Sequence, residues 1–172
     1  KINWLLIDSR SLCFPEETLF FALKTSKNDG HRYVGGLYRR GVRNFVVSLQ
    51  FLDDNAEVER MADANFLAVE SPLKALQTLA AHHRNSLNIP IIGITGSNGK
   101  TSTKDILAGT LAPYFKVQKT IGNFNNELGL PITILQLDED TEVSVLEMGM
   151  SGFGEIEFLT EIGQPHYAII TN

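Results

Sequence analysis

The residues with the clearest capacity for chemistry lie in one run, Ile91-Ile92-Gly93-Ile94-Thr95-Gly96-Ser97-Asn98-Gly99-Lys100-Thr101-Ser102. An apolar strand that enters a glycine loop and opens a helix turns successive backbone N–H groups toward one point at the helix's positive end. A phosphate fits there. On this reading Gly96, Ser97, Asn98, Gly99, Lys100, Thr101 and Ser102 cradle phosphates. Lys100 reaches the β and γ phosphates as a mobile point charge, and the Thr101 hydroxyl joins a Mg²⁺ shell, which hard oxygen ligands suit. The spacing departs from the general GxxxxGK[ST] pattern, whose first glycine would fall at Ile94, one residue after Gly93. What remains is the shorter Gly-x-x-Gly-Lys-Thr from Gly96 to Thr101.

Two more groups of residues stand out. Asn123, Asn125 and Asn126 fall within four positions of a polar stretch running from Lys119 to Pro131. They are rich in amide donors and acceptors, as a ligand-facing loop requires, although Asn and Gly also build ordinary turns. Val143-Ser144-Val145-Leu146-Glu147-Met148-Gly149 ends an apolar strand in a carboxylate. Ligands of open parallel sheets sit beyond the carboxyl ends of the strands, so Glu147 points to the rim that carries the phosphate loop. Metal binding or water orientation would follow; the plain alternative is a solvated carboxylate at a strand end.

Elements must hold these groups in place. From Ile91 onward the pattern is strand, glycine loop, helix and strand, followed by further apolar segments at 129–136, 142–147, 155–162 and 167–171. Apolar strands alternating with helices predict a parallel sheet covered on both faces. Before it, Asn3 to Ile7 and Thr18 to Leu23 read as two strands joined by a turn, His31 to Arg40 as a helix stopped by Gly41, and Asn44 to Ser48 and Phe66 to Val69 as strands. Ser71 as N-cap, Pro72 at the first helical position, and Leu73, Leu76, Leu79 and Ala80 on one face mark a helix that fades near Asn85. The fold class is therefore α/β: a small mixed unit over residues 1–87, then a phosphate-loop parallel-sheet unit over residues 88–172.

Composition agrees. The 172 residues are 43% hydrophobic and 20% charged, which excludes collagen-like, disordered and disulfide-scaffold classes. No apolar run is long enough to span a membrane and no signal-peptide profile opens the chain, so a cytoplasmic protein is expected. Cys13, without a second thiol, reads as a small buried hydrophobe. Residues 1–50 carry a balance of +4 and residues 51–172 a balance of −9. The basic excess in the first part suits a phosphorylated ligand but is too small for a nucleic-acid surface.

Thr95-Gly-Ser-Asn-Gly-Lys-Thr-Ser102, the Gly122-Asn-x-Asn-Asn126 loop with Gly129 and Pro131, and Glu147-Met-Gly149 occur in the order and spacing of the Mur ligases. Asp8-Ser9-Arg10, Leu19-Phe20-Phe21-Ala22 and Asp29-Gly30-His31 resemble the uridine-nucleotide domain that the MurE and MurF branches share. The chain is most similar to the MurF branch, because the MurE branch usually carries Thr-Thr-Pro where this chain has Asn125-Asn126.

The resemblance implies ATP and Mg²⁺ as cofactors, with ATP on residues 96 to 102, Lys100 on the γ-phosphate, and Thr101 and Glu147 as metal ligands. It implies that Ile7 and Ser9 lie against the UDP-sugar, that Thr25, Ser26, Lys27 and Asn28 form the loop near the uridine, and that Asn125 and above all Asn126 face the acyl substrate. His31 is either a substrate contact or a histidine bonded to backbone. The implied reaction adds D-Ala-D-Ala to UDP-N-acetylmuramoyl-tripeptide through an acyl phosphate, with no nucleic-acid partner. Relatives place further metal ligands and an amine-binding domain after the strand at 167–171 and more residues before Asp8. The chain therefore reads as a piece of a longer enzyme, inactive in ligation alone. The alternatives are a MurE-type amino-acid-adding ligase, a general phosphate-loop NTPase, and a nucleotide-binding module without turnover.

Overall fold

Every pair of neighbouring strands among the described residues runs parallel, so successive strands within a sheet are joined by crossovers that return the chain to the same end of the sheet. The computed structural model describes residues 1–26 and 28–172. It divides into two units, Lys1–Leu76 and Gln77–Asn172.

The first unit holds β1 (Trp4–Leu6), β2 (Thr18–Phe21), α1 (Val34–Arg39), β3 (Asn44–Ser48), α2 (Leu49–Asp54) and β4 (Asn65–Val69), in the sheet order β1-β2-β3-β4. The expected turn between β1 and β2 is instead a crossover of two short 3-10 turns, Ser9–Ser11 and Pro15–Glu17, which carries the chain back so that Trp4 lies beside Thr18. The expected helix at 31–40 begins as a 3-10 turn at Gly30–Tyr33, and the segment between β3 and β4, acidic from Asp53 to Asp63, holds α2 and a 3-10 turn at Ala56–Arg60. Its core is Leu6, Phe20, Ala22, Val34, Leu37, Val42, Phe45 and Val47. Cys13 corrects its expectation: it is exposed, because it falls between the two 3-10 turns rather than on a strand.

Helix α3 (Pro72–Ser86) starts where the sequence predicts, with the Ser71 hydroxyl accepting from the Lys74 N–H at 3.3 Å. The second unit continues with β5 (Ile91–Gly96), α4 (Lys100–Leu111), β6 (Val117–Lys119), α5 (Gly129–Leu135), β7 (Val143–Glu147), α6 (Glu155–Gly163) and β8 (Tyr167–Thr171), in the sheet order β6-β7-β5-β8. Period-two alternation sorts its side chains to two faces. Ile94 and Val145 pack with Ala108 of α4, whereas Ile91 and Leu146 pack with Leu130 and Ile134 of α5 and Leu159 of α6. Helices thus cover both faces, and the chain leaves β5 and β7 in opposite directions. This opens a crevice at the carboxyl ends of two adjacent strands.

Candidate nucleotide and metal site

That crevice is where the glycine loop at 96–99 and Glu147 meet. Ile94 of β5 pairs with Glu147 of β7, and Gly96 follows two residues later. Gly96 has φ +134°, and a Cβ there would overlap the carbonyl oxygen and Oγ1 of Thr171 on β8, so only glycine lets the loop leave the sheet at this point. Gly99, with φ +79°, turns the chain into α4, whose first-turn N–H groups have no partner inside the helix. Ser97, Asn98, Gly99, Thr101 and Ser102 are exposed, as a ligand-binding loop requires. Lys100 lies folded over its own loop, its Nζ donating to the carbonyl of Gly96 at 2.6 Å and, more weakly, to that of Ser97 at 3.5 Å. An anion above the loop offers that ammonium stronger partners than these neutral carbonyls.

Glu147 is not the solvated strand-end carboxylate that one sequence reading allowed; it is 2% exposed. Its N–H donates to the Thr120 hydroxyl at 2.9 Å, and its Oε1 accepts from Asn125 Nδ2 at 2.8 Å. Its Oε2 is buried without a hydrogen bond, 3.4 Å from the Lys104 ammonium. Asn125 is itself locked, because its carbonyl accepts from the Gly149 N–H at 2.8 Å and a Cβ at Gly149 would press on its carboxamide. This gives Glu147-Met148-Gly149 its physical meaning. Asn126 is placed otherwise: its Oδ1 accepts from the N–H groups of Leu128 and Gly129, so that oxygen caps the entry to α5.

Sequence reasoning missed Lys104, Thr120 and the direct bond from Asn125 to Glu147. Lys104 carried a signal, since a lysine four residues after Lys100 and in line with Ala108 and Leu111 sits on the apolar face of its helix.

In the first unit the described residues among those expected near a UDP-sugar lie at the carboxyl rim of its sheet. Ile7 and Ser9 are half-buried just past β1. Beside them Arg10 grips Asp8 through two side-chain nitrogens, and those hydrogen bonds hold the Asp8 carboxyl down to about 2. Thr25 and Asn28 are bonded to each other through backbone and hydroxyl groups, Ser26 is exposed, and Lys27 lies outside the described residues. A cavity of about 420 Å³ opens on the same rim, lined by Lys24, Asp29, His31, Ser48, Phe51 and Glu70 among others. None of Ile7, Ser9, Thr25, Ser26 and Asn28 lines it. His31 forms part of its wall, buried and bonded on both sides: Nδ1 lies 2.6 Å from Asp29, and Nε2 accepts from the Ser48 N–H at 2.9 Å. Partial burial pushes the Asp29 carboxyl up, but the hydrogen bonds from the His31 ring and N–H outweigh it and hold it below its ordinary value.

Comparison with known proteins decides the family. Residues 1–84 match the model of the Mur ligase family, catalytic domain, and residues 94–172 match that of the Mur ligase middle domain. The chain belongs to the Mur ligase family. Among curated Mur ligases, the UDP-N-acetylmuramoyl-tripeptide--D-alanyl-D-alanine ligase of Bacillus subtilis is 40% identical over 171 residues, 99% of this chain. The chain spans 36% of that relative's length. MurF from Acinetobacter baumannii superposes with a TM-score of 0.87 at 32% identity, over 98% of this chain and 35% of its own. MurF from Thermotoga maritima, solved in complex with ADP, gives 0.79 at 32% identity, over 94% and 35%. Among the described residues no helix is long and apolar enough to cross a membrane.

Proposed function

We propose that the protein carrying this chain is a cytoplasmic, ATP-dependent amide-bond ligase of peptidoglycan precursor synthesis that joins D-Ala-D-Ala to UDP-N-acetylmuramoyl-tripeptide. The observation that carries the reading is the convergence of Lys100 and the buried Glu147 on one crevice, in a chain 40% identical to a ligase named for that reaction. In the proposed division of labour, residues 1–87 hold the UDP-sugar, with Ile7, Ser9, and Thr25 to Asn28 on its side of the rim. Residues 88–172 hold ATP on residues 96 to 102. The asparagine loop plays two parts: Asn125 fixes Glu147, and Asn126 borders the acyl group.

The terminal carboxylate of the tripeptide attacks the γ-phosphorus of ATP, ADP leaves, and an acyl phosphate forms. The amine of D-Ala-D-Ala then attacks the acyl carbon, phosphate departs with the bonding electrons, and the amine's proton is lost to solvent. The first step brings two anions together, so electrostatic stabilisation is its main need. Lys100 transfers its ammonium from the Gly96 carbonyl to the phosphate oxygens, and the N–H groups at the start of α4 face the same charge.

The donor set fits Mg²⁺, because Glu147 Oε2 is a buried hard oxygen without a hydrogen bond, and the exposed Thr101 hydroxyl is a second one at the head of α4. Glu147 and Thr101 would hold the ion, which when bound neutralises phosphate charge.

In the protein carrying this chain, Lys100→Ala should lower ligation at least about a hundredfold, the scale of losing one placed electrostatic donor. With UDP-muramoyl-tripeptide present, phosphate release should depend on D-Ala-D-Ala. Release driven instead by a diamino acid with the dipeptide precursor would establish the MurE-type reaction, and ADP formation unchanged by Lys100→Ala would remove that lysine from the mechanism.

A further inference from the structure

Lys104 is among the most buried charged groups of the second unit, its side chain 3% exposed, on the face of α4 that packs against the sheet. Lysine is almost never buried unless it is paired. Two carboxylates are near. Asp105 lies 3.9 Å away but is already engaged by Lys119 at 2.7 Å. The other is Glu147, whose Oε2 lies 3.4 Å from the Lys104 Nζ. The ammonium and that oxygen share no hydrogen bond, so Lys104 balances the charge of Glu147 while leaving the oxygen's lone pairs unused.

We propose that Lys104 is a positioning residue that serves as the resident counter-ion of Glu147, balancing the buried carboxylate without metal and making divalent-cation binding depend on nucleotide. This inference rests on the reading of Glu147 as a metal ligand. A free divalent cation at Oε2 would share that oxygen with an ammonium only 3.4 Å from it, and like charges at this range oppose each other strongly in a buried place. A cation that arrives with a nucleotide brings phosphate charge that offsets the ammonium, and Lys100 is drawn from the Gly96 carbonyl to the same phosphates. The metal is therefore admitted with the nucleotide and discouraged without it.

The test is Mn²⁺ binding to the chain, followed by calorimetry and by the Mn²⁺ spin-resonance signal, with and without ADP. The wild-type chain should bind Mn²⁺ weakly alone and more tightly with ADP, and Glu147→Gln should lose the ADP-dependent gain. Lys104→Met should bind Mn²⁺ without nucleotide about tenfold or more tightly than wild type, the scale on which one nearby charge acts. Lys104→Arg, which keeps the charge, should stay weak. The double variant Lys104→Met/Glu147→Gln, which carries neither charge, should fold and lose the tight binding.

If Lys104→Met unfolds because Glu147 is left uncompensated, Mn²⁺ should restore its melting transition. Failure of Mn²⁺ to restore it overturns the proposal, as does an affinity no higher than wild type in a folded Lys104→Met. Tight binding that persists in the double variant places the ion elsewhere and also overturns it. An ADP-dependent gain that survives Glu147→Gln refutes the metal-ligand reading itself, a result distinct from failure of the Lys104 arm alone.

Discussion

The Asn125 side chain ties the asparagine loop to Glu147, so replacing it by alanine gives a measurable consequence. The Asn125 amide donates to Glu147 Oε1 at 2.8 Å, and the carboxylate is almost wholly buried. Hydrogen bonds to charged groups contribute about 1.5–3 kcal/mol, and removing one partner leaves the other with an unmet desolvation cost. Alanine keeps the backbone bonds of this residue to Asn123 and Gly149, so the loop retains its path and the loss falls on the carboxylate. A destabilisation of about 2 kcal/mol is expected, which for a domain of about 100 residues is about 8–16 °C in melting temperature.

Urea denaturation of the chain measures the loss directly. Asn123→Ala is the control: that side chain is exposed, and its removal should stay within about 0.5 kcal/mol. A double-mutant cycle with Glu147→Met, which offers the Asn125 amide no oxygen acceptor, isolates the pair and should show coupling of about 1 kcal/mol or more. A loss at Asn125 below about 0.5 kcal/mol, or coupling near zero, would refute the claim that this amide holds the carboxylate.

Glycine positions offer a contrast within one helix-loop segment. Gly96→Ala should cost about 3 kcal/mol or more and abolish nucleotide binding, because the methyl group overlaps Thr171 and the backbone is at φ +134°. Gly109→Ala, on α4 with open space around it, should instead stabilise the chain by up to about 1 kcal/mol in the same denaturation assay. For pH, the lowered Asp29 carboxyl contributes stability that is fully present above its unfolded value of 3.8 and is lost as pH falls through the folded one. The urea midpoint of Asp29→Asn should therefore change less than that of wild type on going from about pH 5 to about pH 3; parallel curves would show that the His31 contact contributes nothing.

The second unit was legible from its sequence because its signals are local. Gly96, Gly99 and the helix opening at Lys100 fall within five successive positions, and the apolar runs that became β5 and β7 are bounded by glycine and polar residues. The first unit was harder. Its β1–β2 crossover contains no helical period, only two 3-10 turns, so by pattern it reads as a turn between two strands. Helix α2 hides in a stretch whose acidic residues obscure one capping serine, Ser48, whose hydroxyl accepts from the Phe51 N–H. The role of His31 was legible as a choice between two readings, and the structure shows the backbone bond while placing the ring in a cavity wall.

What local pattern could not supply was the meeting of separate elements, and here two periods do the work together. Along β7, Val145 faces α4 and Leu146 faces α5, so Glu147, two positions after Val145, must face α4 as well. Along α4, Ala108 packs under that face, and Lys104 is one turn earlier in the same row. A carboxylate at the last position of a buried strand and a lysine one turn into the facing helix are then brought together by the fold. Neither is exposed to water enough to stand alone. The conjunction depends on β7 lying beside β5 rather than beyond it, a strand order that no segment of the sequence encodes by itself. It follows that inserting one residue into β7 between Val145 and Glu147 would turn the carboxylate to the α5 face and separate it from Lys104, while leaving every motif in the sequence readable.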